Sequence, residues 1–108
     1  MQDNITKLFK AIADPTRRDI FHALVIATSA LSITQISSQF DISRQGVTKH
    51  IKTLEGAGLV YIDNIGRERF CNANAKQLKE VTKWLKFYEQ FWDDSLQNLG
   101  NYLDTSNS

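Results

Sequence analysis

Between Ser43 and Thr53 the chain carries Arg44, Lys49 and Lys52 and no acidic residue, a local charge of +3. At helical spacing Val47, Ile51 and Leu54 fall on one stripe. Gln45, Thr48, Lys49 and Lys52 then share the opposite face. Lysine ammonium groups suit phosphate oxygens, and these contacts dominate affinity for duplex DNA. A glutamine amide can pair with a base edge in the major groove, and a threonine offers a hydroxyl and a methyl. Ser43 and Arg44 stand at the start of this segment. There the free backbone N–H groups of a helix also favour phosphate. The same face would equally serve as an ordinary solvated helix surface, so its neighbours decide.

Other chemistries find less support. Catalysis needs a nucleophile–base pair, converging carboxylates or a metal set. Asp93 and Asp94 are adjacent and diverge on a helix, and there is no glycine-rich phosphate loop. The chain is therefore not expected to be an enzyme. Cys71 is the only cysteine. It excludes an intrachain disulfide and fits a reducing compartment, which makes a cytoplasmic location the expectation. Two readings of Cys71 compete: a thiol activated by nearby arginine, or a small residue packed in a strand, and the second is favoured. His22 has no acidic or cysteine partner nearby and reads as structural. No apolar run approaches a membrane span, and no apolar signal segment follows Met1. No membrane partner and no cofactor are expected.

Six elements must position these residues: four helices, a hairpin and a last helix. The first runs from about Asn4 to Ala13, with Ile5, Leu8, Phe9 and Ile12 at helical spacing. Asp14-Pro15 ends it and starts the next, with Asp14 as cap and Pro15 at the first helical position. Ile20, Phe21, Leu24 and Val25 form the apolar face of the second helix. Ser32-Ile33-Thr34-Gln35 has the form of a capping box for a short third helix that buries Ile33, Ile36 and Phe40. Phe40-Asp41-Ile42 is a tight turn, Ser43 caps the fourth helix, and Gly58 is its left-handed stop. Two short helices joined this way, the second with a polar and basic face, make a helix-turn-helix over residues 32–57.

Leu59–Ile62 is β-rich, Asn64-Ile65-Gly66 reads as a turn, and Arg67–Asn72 returns as a second strand. Alternation then places Arg67 and Arg69 on one face of this hairpin. A basic hairpin directly after a helix-turn-helix reads as a wing, over residues 59–72. The expected fold is mainly α with a small β-hairpin wing, a winged helix-turn-helix in one domain over 1–108. DNA-binding residues are expected to be Ser43, Arg44, Gln45, Thr48, Lys49, Lys52, Arg67 and Arg69.

From Ala75 to about Leu103 the pattern is helical again and carries two stripes. One runs through Leu78, Val81, Leu85, Tyr88, Trp92, Leu96, Leu99 and Leu103; the other holds Trp84, Phe87, Phe91 and Tyr102. One stripe can close the domain's own core, and the other is too aromatic to leave in water. Residues 4–13 and 75–103 are therefore expected to form a helical dimer interface. Its side chains would be Ile5, Leu8, Phe9, Trp84, Phe87, Tyr88, Phe91, Trp92, Leu99 and Tyr102. Charge follows the same division. The chain has 13 basic and 12 acidic residues, net +1, yet residues 89–108 hold Glu89, Asp93, Asp94 and Asp104 and no Lys or Arg. The acids fall at the dimer end, away from the basic face. Lys76, Lys79, Lys83 and Lys86 have no assigned role.

The chain resembles the ArsR-type winged-helix transcriptional regulators. The resemblance rests on Leu8-Phe9-Lys10-Ala11-Ile12-Ala13-Asp14-Pro15-Thr16-Arg17-Arg18, on Gln45 to Glu55, on Gly58-Leu59-Val60 and on Gly66-Arg67. It implies a homodimeric repressor on a partly palindromic operator, with half-sites about 34 Å apart. It also implies a DNA-side role for His50. Metal-sensing relatives place Cys-Val-Cys on the third helix or His and acidic ligands on the last. Here Leu31 to Ile36 holds no thiol and no His follows His50. The chain is thus similar to the subgroup without recognised metal ligands, and no metal is expected. A small-molecule inducer is possible and unidentified. The alternative of a different class is a winged-helix protein-interaction module or antirepressor.

Overall fold

In the computed structural model the described residues are 3–92. Their contacts divide after Leu78, and the two parts are taken in turn.

In the first part, four helices precede a small sheet: α1 (Asn4–Ile12), α2 (Pro15–Ile26), α3 (Ile33–Phe40) and α4 (Arg44–Gly56). Each begins with a side chain that accepts from a backbone N–H left free by the first turn. Asp3 accepts from Thr6, Asp14 from Arg17 and Ser43 from Gly46, at 2.8, 2.9 and 3.0 Å. Ser32 and Gln35 form the full reciprocal box, at 3.1 and 2.8 Å. The Asp14 carboxyl is held below its ordinary value, first by the Arg17 backbone N–H and then by nearby positive charge.

The Asp14–Arg18 segment closes one helix as it opens the next. Arg17 Nε and Nη2 donate to the carbonyls of Ala11 and Lys10, at 2.7 and 3.0 Å. Arg18 Nη1 donates to Ile12 at 2.6 Å. Three carbonyls at the end of α1 are thus capped from the first turn of α2, the Lys10 one in addition to the Ala13 N–H it accepts at 3.4 Å.

The turn into α4 is equally local. Asp41 ends α3 in the left-handed region, at φ 54°. Ser37 then accepts from the Ile42 N–H at 3.2 Å and donates its hydroxyl to the Ile42 carbonyl. Gly46 is needed for space: a Cβ there would stand 2.8 Å from Ile42 Cγ2. At the far end of α4 the Leu59 N–H reaches Leu54 at 3.0 Å and the Gly58 N–H reaches Glu55 at 2.9 Å. With Gly58 at φ +79°, this is the six-to-one and five-to-two closure of a Schellman motif.

The sheet has three antiparallel strands, β1 (Leu31–Ser32), β2 (Val60–Ile65) and β3 (Glu68–Ala73), in the order β1-β3-β2. The expected hairpin is β2–β3, and the pairing of Leu31 with Cys71 and Ser32 with Phe70 adds a third strand to it. β2 also runs on to Ile65, paired with Glu68, so the turn is Gly66-Arg67 rather than Asn64–Gly66. Gly66 has φ +63°, which a two-residue hairpin turn requires.

Leu8, Ile20, Ile36, Val47, Ile51, Leu54, Leu59 and Cys71 are fully buried. Leu8 was expected at a partner interface; it has no exposed surface to offer and belongs to the core. Val25, on the apolar face expected for α2, is exposed, as is Ile26. Phe40 is half-buried.

In the second part, after a 3-10 turn at Ala75–Leu78, a helix (α5) occupies 79–92. Trp84, Phe87, Tyr88, Phe91 and Trp92 are all exposed, between 38% and 60%. Val81 and Leu85 are half-buried. Neighbouring rings touch along the helix, with Trp84–Tyr88 centroids 4.8 Å apart and Phe87–Tyr88 meeting edge-on at 5.0 Å. Lys83 pairs with Glu80 at 3.3 Å on the exposed surface. Asp93, Asp94, Leu96, Leu99, Tyr102 and Leu103 lie outside the described residues.

Candidate nucleic-acid interface

The stripe of Val47, Ile51 and Leu54 is buried, which turns the other face of α4 outward. On that side Arg44, Gln45, Thr48, Lys49 and Lys52 line a cleft of about 560 Å³ together with Arg67 and Arg69 of the wing. Ile33, at the start of α3, completes the wall. Seven of the expected DNA-binding residues thus meet on one surface, drawn from two elements. No acidic residue lines it. Five cations converge there without a carboxylate among them, so the cleft favours an anion.

Arg67 arrives by a different route from the one expected. It sits in the turn rather than on a strand, so period-two alternation with Arg69 does not apply. The short turn brings both arginines to the cleft all the same. Thr48 donates its hydroxyl to the Arg44 carbonyl at 2.8 Å, leaving its methyl and lone pairs for a partner. Ser43 uses its hydroxyl oxygen to cap α4, with its side chain at the edge of the same helix start.

His50 does not line the cleft. It is half-buried, and its Nδ1 lies 3.5 Å from Arg17 Nη1. The reading from sequence did not single out Arg17. Its only signal was the arginine pair that begins two positions after the helix-starting Pro15.

Cys71 is sealed in the core, paired with Leu31 and Ile62. Burial pushes its thiol up to about 11; the Glu55 carboxylate adds to this and Arg69 opposes it. That is the opposite of an activated thiolate.

A helix-turn-helix domain family model matches residues 12–61 of this chain. The uncharacterised HTH-type transcriptional regulator YuzN of Bacillus subtilis is 35% identical over 92 residues, covering 80% of this chain and all of YuzN. The chain belongs to the ArsR-type winged helix-turn-helix transcriptional regulators. The transcriptional repressor SdpR of the same bacterium is 26% identical over 92 residues, covering 85% of this chain and all of SdpR. The solved ArsR-like transcriptional regulator from Rhodococcus sp. RHA1 superposes with a TM-score of 0.75 at 25% identity, covering 94% of this chain and 92% of that one.

Proposed function

We propose that this regulator is a sequence-specific repressor that binds a partly palindromic operator as a homodimer and acts by occluding a promoter. The observation that carries the reading is the acid-free cleft shared by α4 and the wing. Gln45 and Thr48 read base edges in the major groove, with Lys49 beside them. Ser43, Arg44, Lys52, Arg67 and Arg69 hold phosphates.

Two copies meet through the last helix and α1, and the whole chain serves as one domain of the assembly. The aromatic surface of α5 supports this: five large rings stand open to water on four turns of helix. Ile5 and Phe9, both half-buried on α1, contribute from the other element. The repressor role follows the similarity to SdpR. A cytoplasmic location accords with a DNA ligand.

Selection of bound duplexes from a random pool tests the reading. It should return two inverted half-sites about one helical turn, or ~34 Å, apart. Recovery of a single unrepeated half-site would remove the dimer, and recovery of no sequence at all would favour a winged-helix module that binds protein.

A further inference from the structure

Arg17 stands on the first turn of α2 and reaches two other helices. Its Nε and Nη2 close the end of α1 at the Ala11 and Lys10 carbonyls, 2.7 and 3.0 Å away. Its remaining nitrogen, Nη1, lies 3.5 Å from Nδ1 of His50 on α4. A guanidinium carries donors only, so a hydrogen bond at this distance requires the His50 tautomer whose Nδ1 is unprotonated. The guanidinium is also planar and rigid. Two carbonyls bound on one side therefore set where the third nitrogen points. Asp14 holds the Arg17 backbone N–H from behind, at 2.9 Å.

His50 is the place on α4 where such a constraint matters. Ile51, next to it, is buried in the core, and Lys49, on its other side, lines the basic cleft. A contact at His50 thus acts on the rotation of α4 about its own axis. Rotation decides which side chains face a groove, and a misplacement near 1 Å is enough to degrade a polar constellation.

We infer that Arg17 is a positioning residue for DNA recognition: through His50 it sets α4 against the α1–α2 corner without touching DNA. This rests on α4 being the DNA-reading helix, as proposed above. It assigns His50 to the inner face of the helix rather than to a phosphate.

The test uses the full chain and the duplex recovered from the random pool. Arg17→Ala and His50→Leu should each weaken binding on the order of tenfold, the size expected of positions that act through packed contacts. Neither should change the salt slope, because no phosphate contact is lost. The double variant should bind no more weakly than the weaker single one. His50→Gln, which keeps an acceptor, should retain most of the affinity. A salt slope flattened by about one in Arg17→Ala would make Arg17 a phosphate contact and overturn the inference. So would losses that multiply in the double variant, or unchanged affinity in both single ones. Should Arg17→Ala fail to fold, the histidine pair decides alone, since the α1 cap is intact in both: equal losses in His50→Leu and His50→Gln contradict the inference. A wild-type chain that binds no duplex would instead remove the reading of α4 on which the inference stands.

Discussion

Lys52 of α4 and Arg69 of β3 are partners in two clefts, the basic one of about 560 Å³ and a smaller one of about 220 Å³ that Glu55 also lines. The two residues are 17 positions apart in the chain and come from different elements. Gathering like charges on one surface costs folding energy unless an anion arrives to offset it. A polyanion that spans helix and wing together is the ligand this arrangement fits. The sites of Arg44, Lys49 and Arg67 extend the same surface.

Gln45 is the side chain of the cleft best suited to read a base. Gln45→Ala should relax preference at one operator position at a cost of about 1–3 kcal/mol, with binding to other sequences little changed. Titrations against operators substituted one base pair at a time would check this. A uniform loss across all sequences would assign Gln45 to the backbone instead.

In the proposed dimer, the aromatic face of α5 is the seam. Phe87→Glu and Phe91→Glu, both more than half exposed in the single chain, should yield folded monomers. Sedimentation velocity together with circular dichroism would show the change in mass without loss of helix. Dimers that persist in both variants would place the interface elsewhere.

How much of this was legible beforehand follows from range. The caps at Asp14, Ser32 and Ser43 and the stop at Gly58 were readable, because each depends on residues within three or four positions. The five cleft residues on α4 were readable for a related reason: helical periodicity sorts the faces of the helix once its core stripe is seen, whereas Arg67 reaches the cleft from a turn that strand alternation did not describe. Three features were not. β1 is two residues long and exists only because Leu31 and Ser32 meet Cys71 and Phe70, some 40 positions away. The exposure of Val25 depends on what the fold leaves uncovered, and α2's own pattern does not contain that. The approach of Arg17 to His50 crosses 33 positions between two helices, and neither residue type announces it.

Gly58 supports the closure of α4 in two ways. Its φ of +79° disfavours any L side chain, and an added Cβ would stand 3.0 Å from the Gln77 side chain. Gly58→Ala should cost about 1–2 kcal/mol from the backbone alone. Gly66→Ala should show only that backbone cost, since open space surrounds its Cβ position. Urea denaturation of the two variants would separate the effects, and a larger loss at Gly66 would contradict the packing described.

Cys71 should be inert in the native protein. A chromogenic disulfide reagent at neutral pH should react with it only after unfolding. Its thiol titrates near 11 in the folded chain against an ordinary 9.0, so the neutral form is favoured by folding. The stability this contributes is complete below pH 9.0 and is lost as pH rises through about 11. Cys71→Ser should not abolish any response of DNA binding to oxidants. Rapid labelling of the native thiol would sink this account of Cys71.

The most direct measurement is the salt dependence of duplex binding by the wild-type chain and by Lys52→Ala. Removing one phosphate contact should weaken binding to every sequence alike and flatten the slope of log K against log salt concentration by about one. Identical slopes for the two proteins would mean that the cleft between α4 and the wing is not where DNA binds.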